Sequence, residues 1–192
     1  WLMDAHPDIA PVDREGRPRG FGSRRHYTFS STVWWEESRR IVEIVARRYG
    51  THPGLAGWQT DNEYGCHETV LSWGAQDLAA FQGWLRRRYQ TTDQLNESWG
   101  SVFWSMEVSD FSQVSLPSLA VTEANPAARL DFWRFQSDQV AAYDRMQCDI
   151  IRTHSPGRFV THNFMGFFND FDHWKVAENL DLASWDSYPL GV

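Results

Sequence analysis

Surplus positive charge is what the chain most plainly lacks. Its 192 residues carry 18 Lys and Arg against 25 Asp and Glu, a formal net charge of −7, and a phosphate-backbone partner rewards the opposite balance. Nucleic acid is therefore excluded as the expected partner. Lysine is nearly absent: Lys175 is the only one, and it lies in a helix-like stretch, so chemistry through a desolvated Schiff-base lysine is set aside. Two cysteines, Cys66 and Cys148, stand too far apart to define a disulfide framework or a metal-ligand pair by spacing. No run of 18 apolar residues exists to span a bilayer. No Gly-rich phosphate loop of either common pattern occurs, which removes the usual nucleotide-binding sheets.

Aromatic rings are what the chain has in excess. Eleven Trp, 12 Phe and 6 Tyr make up 15% of it. Flat ring faces stack on the C–H groups of a pyranose, so the composition fits a sugar site as well as it fits simple core filling.

The first 30 residues are turn-rich, with Pro7, Pro11, Gly16, Pro18, Gly20 and Gly22, and a loop of that length in a compact protein is more often functional than not. Residues 31–49 read as a helix with Trp34, Ile41, Val45 and Tyr49 along one stripe, and Gly50 stands where a left-handed terminal residue is wanted. Residues 55–59 read as a short buried strand whose end leads into Thr60-Asp61-Asn62-Glu63. A second helix is expected over 72–89, a short one over 93–99, and a long one from an Asn125 cap and Pro126 to about His154. Strands over 159–164 and 180–186 flank a short helix over 171–179.

That alternation predicts βα units on a parallel sheet, an α/β chain. Side-chain chemistry then belongs at strand C-termini, as in a (β/α)8 barrel, and Asn62-Glu63, His162-Asn163 and Asp186 to Tyr188 fall there. A whole barrel takes about 250 residues, so three strands imply a slice of one, a single partial domain over residues 1–192 cut at both ends. Glu63 is the central candidate: a carboxylate after an apolar strand, beside a second acid, where burial would raise its proton affinity into donor range. A solvated loop carboxylate is the plainer reading.

Six spaced stretches resemble glycoside hydrolase family 42, the β-galactosidases of a large clan of retaining barrels. They are His6-Pro7-Asp8-Ile9 with Pro11-Val12-Asp13; Phe21-Gly22-Ser23-Arg24-Arg25-His26-Tyr27; Gly57-Trp58-Gln59-Thr60-Asp61-Asn62-Glu63-Tyr64-Gly65-Cys66-His67; Leu95-Asn96 with Trp99-Gly100 and Phe103-Trp104-Ser105; Thr161-His162-Asn163-Phe164-Met165-Gly166; and Ala183-Ser184-Trp185-Asp186-Ser187-Tyr188-Pro189. The resemblance implies a partial barrel comprising strands four to six with their helices and long loops, and hydrolysis of terminal β-D-galactosyl residues from a galactoside or galacto-oligosaccharide. It implies Glu63 as the acid/base, Arg24 and Asn62 as ligands of the galactosyl hydroxyls, Trp104 as an aromatic wall and Tyr188 as a neighbour of the nucleophile. Each has a plainer reading: Arg24 with Arg25 as a solvated pair, Trp104 as core or interface, Tyr188 as a strand closure, and His162 as a satisfied core histidine.

The resemblance also implies a homotrimer for the whole protein, and no cofactor; a cytoplasmic location is expected. Some relatives hold a structural zinc partly with a Cys-x-Cys-x-x-Cys cluster, where this chain has Ser72-Trp73-Gly74-Ala75-Gln76-Asp77, so no metal site of that kind is expected. A retaining mechanism needs a second carboxylate about 5–5.5 Å from the first, which the family places on strand seven, beyond residue 192. Within the chain, Glu36, Glu37, Glu43 and Glu178 fall in helices, and only Asp186 is another strand-end acid. A non-catalytic carbohydrate-binding protein on the same scaffold is the alternative reading, and a metal-dependent hydrolase built on His26, His67, His162 and Asp61 has no recognised spacing behind it.

Overall fold

A computed structural model describes residues 1–22, 27–189 and 191. Its elements run α1 (Leu2–Ala5), α2 (Thr32–Tyr49), β1 (Gly57–Gln59), α3 (Ala75–Tyr89), α4 (Thr92–Trp99), α5 (Pro126–His154), β2 (Phe159–Phe164), α6 (His173–Ala177) and β3 (Leu182–Trp185). The three strands form one parallel sheet in the order β1-β2-β3. Trp58 pairs with Val160 and Gln59 with Thr161, while His162 pairs with Ala183 and Asn163 with Ser184. This is the α/β alternation that the sequence predicts. No described helix is long and apolar enough to cross a membrane.

Because side chains alternate along a strand, β2 divides its residues between two faces. Val160, His162 and Phe164 are buried, and Val160 packs with Cys148 and Ile151 of α5 and with Val42 and Trp58. Phe159, Thr161 and Asn163 are exposed or half-buried on the other face. A Cβ at Gly57 would come within 2.5 Å of the Phe159 ring, so a larger residue there would have to displace that ring.

The long helix begins where its cap predicts. Asn125 accepts the Ala127 and Ala128 N–H groups at 2.8 and 3.3 Å, and Pro126 occupies the first turn. Such a cap contributes about 1 kcal/mol. Two readings of α2 need correction. Ile41, Val45 and Tyr49 do not face the core but are exposed; the helix instead turns Trp34, Trp35, Val42 and Ala46 inward. Of the expected stripe only Trp34 faces inward, since Trp34 Nε1 donating to Tyr143 Oη at 3.0 Å and Tyr143 donating to Ser38 at 2.8 Å orient the helix on α5. Gly50, moreover, is right-handed, with φ −56°. It is glycine because the His154 carbonyl oxygen lies 2.2 Å from where a Cβ would sit.

Candidate active site

β1 ends at Gln59, and the chain leaves it through residues whose backbone is strained: Asp61 at φ 44° and Glu63 at φ 45° lie in the left-handed region, as does Gly65 at 82°. Short polar side chains tolerate this conformation better than Glu does. It persists where surrounding bonds over-determine it, and such strain costs on the order of 1–3 kcal/mol per residue.

Those bonds come from two consecutive residues of β2. On the open face, Asn163 Oδ1 accepts the Glu63 N–H at 3.3 Å. On the buried face, His162 Nε2 accepts the Tyr64 N–H at 3.2 Å, while His162 Nδ1 lies 2.8 Å from the Thr60 carbonyl oxygen. A carbonyl only accepts and an amide N–H only donates, so the ring is fixed as the neutral Nδ1–H tautomer. His162 is thus a satisfied core histidine, stacked on the Tyr64 ring at 4.0 Å.

Beneath the ring lies Asp144, fully buried. It accepts Thr60 Oγ1 at 2.7 Å and Tyr64 Oη at 3.1 Å on one oxygen, and Asn179 Nδ2 at 3.0 Å on the other. Burial, with Asp144 and Asp61 nearby, pushes the Tyr64 phenol well above its usual value and keeps it a neutral donor. Tyr27 donates to Asp61 Oδ2 at 2.8 Å, and Asp61 Oδ1 accepts the Asn62 N–H at 2.7 Å.

Above the strand ends, Asn62 Nδ2 lies 3.3 Å from Glu63 Oε2, and Asn62 Oδ1 lies 3.1 Å from Asn163 Nδ2. The same Nδ2 reaches Asp186 Oδ1 at 3.1 Å. The structure therefore brings together Asn62, Glu63, Asn163 and Asp186, and Glu63 itself is half-buried. A half-buried carboxyl held at the C-terminal end of parallel strands can donate a proton to a bound leaving group and later take one from water.

The other expected residues sit differently. Trp104 is 79% exposed, in the short 3-10 turn Phe103–Ser105, with its ring against Phe103. Tyr188 is 85% exposed beyond β3. Arg24 falls outside the described residues. Asn163, Gln59 and Tyr27 are the members that sequence reasoning did not assign to the site. Only the strand-end position of Asn163 signalled anything.

At the stretch 72–77, Asp77 is fully buried and accepts Ser72 Oγ at 2.6 Å, the Gly74 N–H at 2.9 Å and the Thr28 hydroxyl. This carboxylate closes the stretch by hydrogen bonds, tying residue 28 to the start of α3. Among the described residues, no group of three or more His, Cys, Asp or Glu side chains could hold a metal ion.

The chain matches the family model for β-galactosidases of glycoside hydrolase family 42 over residues 1–191. It is 58% identical to a β-galactosidase of Thermus thermophilus over 191 residues, covering 100% of this chain and 30% of that protein. It is 47% identical to the β-galactosidase Bga of Halorubrum lacusprofundi, covering 27% of it. The crystal structure of a β-galactosidase from the psychrophilic Marinomonas ef1 superposes with a TM-score of 0.97 at 59% identity, over 98% of this chain and 29% of that one. One from Bacillus circulans sp. alkalophilus superposes at 0.90 and 32% identity, over 98% and 28%. The chain thus spans under a third of the length of these relatives.

Proposed function

The chain belongs to glycoside hydrolase family 42, and on that footing we propose that it supplies strands four to six of a retaining β-galactosidase barrel, as one partial catalytic domain over residues 1–192, with Glu63 as general acid/base. β1, β2 and β3 are those strands. The observation that carries the reading is the grip on residues 63 and 64: a strained turn at a parallel strand's C-terminal end, held on its two faces by neighbouring side chains of the next strand.

In the first step the Glu63 carboxyl protonates the glycosidic oxygen as a second carboxylate attacks the anomeric carbon. In the second, the Glu63 carboxylate takes a proton from the water that releases galactose. The second carboxylate is assigned to a glutamate beyond residue 192 of the whole protein. Asn62 binds a galactosyl hydroxyl next to the reacting carbon, together with Arg24. The exposed ring of Trp104 is available to wall the sugar site, and Tyr188 stands as a neighbour of the nucleophile. The substrate is a galactoside or galacto-oligosaccharide, the whole protein is a homotrimer, and no cofactor takes part.

General acid catalysis matters least where the leaving group needs no proton. In the full-length protein, Glu63→Gln should therefore lower kcat/KM on lactose by about 10²–10⁴-fold and spare most of it on 2,4-dinitrophenyl β-galactoside. Equal losses on both substrates would contradict the assignment. Binding of galactose by the unmodified full-length protein without any hydrolysis would favour the carbohydrate-binding alternative.

A further inference from the structure

Asn163 lies on the open face of the middle strand, and its amide makes hydrogen bonds in four directions. Oδ1 accepts the Glu63 N–H at 3.3 Å and Gln59 Nε2 at 2.9 Å. Nδ2 donates to Asn62 Oδ1 at 3.1 Å and to Asp186 at 3.1 and 3.3 Å. A primary amide has two acceptor sites and two donor hydrogens, so this one is saturated.

Its orientation is not interchangeable. A backbone N–H demands the oxygen on one side, and a carboxylate demands the NH2 group on the other. That choice propagates. With Asn163 donating, Asn62 has to present its carbonyl oxygen to β2, which turns its NH2 group toward Glu63 Oε2, 3.3 Å away. Gln59 has to present its NH2 group, which also reaches the Asp61 carbonyl oxygen at 3.1 Å. One side chain thus sets the amide orientation of Asn62 and holds the backbone of Glu63 at φ 45°. It also joins the ends of all three strands.

We propose that Asn163 is a positioning residue for the acid/base, acting on the reaction only through Glu63 and Asn62. The inference rests on the reading of Glu63 as acid/base. Without the amide, the turn loses the bond from the Glu63 N–H to Asn163 Oδ1, and Asn62 loses the donor that faces its carbonyl oxygen. A displacement of about 1 Å costs on the order of 10²-fold in rate. Because the proton donor is the group displaced, the loss depends on the leaving group.

The test compares Asn163→Ala and the near-isosteric Asn163→Leu with unmodified protein, all full-length, on lactose and on 2,4-dinitrophenyl β-galactoside. The readout is the ratio of the two kcat/KM values, in which the concentration of folded enzyme cancels, so a poorly folding variant still gives an answer. kcat/KM on lactose is expected to fall by about 10²-fold, and the ratio of lactose to dinitrophenyl galactoside by tenfold or more. An unchanged ratio in both variants overturns the proposal, whatever the loss of total activity. If Glu63→Gln leaves the ratio unchanged as well, the acid/base reading falls and takes this one with it. If Glu63→Gln shifts the ratio and the Asn163 variants do not, only the role of Asn163 falls.

Discussion

The Tyr64 N–H donates to His162 Nε2 at 3.2 Å, and the two rings stack at 4.0 Å with 13° between their planes. His162 is thereby bonded on both nitrogens, to residue 60 before the turn and to residue 64 after it. His162→Phe keeps the stack and removes both bonds from a buried site. We expect a destabilisation of roughly 1–3 kcal/mol, read from denaturant midpoints of the full-length protein, with loss of galactosidase activity. Wild-type stability in that variant would show that the ring does not hold the turn.

Tyr27 braces the same turn from outside the sheet. Its hydroxyl bonds Asp61 Oδ2 at 2.8 Å, and its ring stacks on Trp34 at 3.8 Å. Tyr27→Phe preserves the stack and deletes only the hydroxyl. The expected cost is about 1–2 kcal/mol, together with a lower kcat on lactose. A change in neither the melting temperature nor kcat would show that the Tyr27 hydroxyl does not brace the turn.

Asp77 predicts a pH dependence. Burial pushes its carboxyl above the usual carboxylate range, against the opposing effect of hydrogen bonds from Ser72, Thr28 and the Gly74 N–H. The folded state therefore holds this proton more tightly than the unfolded state. The associated stability is fully present below the unfolded value and is lost as pH rises through the raised folded value. Asp77→Asn removes that titration. The melting temperature of the unmodified protein minus that of the variant should fall as pH rises from about 4; a difference that is flat or rises with pH would contradict the burial argument.

The two thiols should react unequally. Cys148 is fully buried, and burial with Asp144 beside it pushes the thiol far up; Cys66 is half-buried on the turn after Glu63. Since the thiolate is the nucleophile, iodoacetamide should alkylate Cys66 in the native protein and spare Cys148 until it unfolds. Mass spectrometry of the peptides reads this directly, and native labelling of Cys148 would contradict the packing of α5 on β2.

How much of this was legible beforehand depends on the range of the interaction. Asn125 and Pro126 mark the start of α5 through contacts within one turn, and the start lies where they put it. The alternation of helices and strands is equally local in origin, and the parallel sheet follows from it. Gly50 shows where local rules end: its glycine answers a carbonyl about a hundred positions away, not a left-handed turn. The buried face of α2 is set in the same way, because Tyr143, about a hundred positions on, decides which way the helix faces. Glu63 and Asn62 could be picked out by their place after a strand. The work of Asn163 could not, because it depends on three strand ends meeting across more than a hundred residues.

Azide rescue tests the role of Glu63 most directly. Full-length Glu63→Gly, given an activated aryl β-galactoside and sodium azide, should regain turnover and release β-galactosyl azide, identified by its anomeric proton coupling. This is because azide enters the glycosyl-enzyme from the face that the missing carboxylate served. Release of α-galactosyl azide would make Glu63 the nucleophile instead, and undiminished lactose hydrolysis without azide would show that the reaction does not need this side chain.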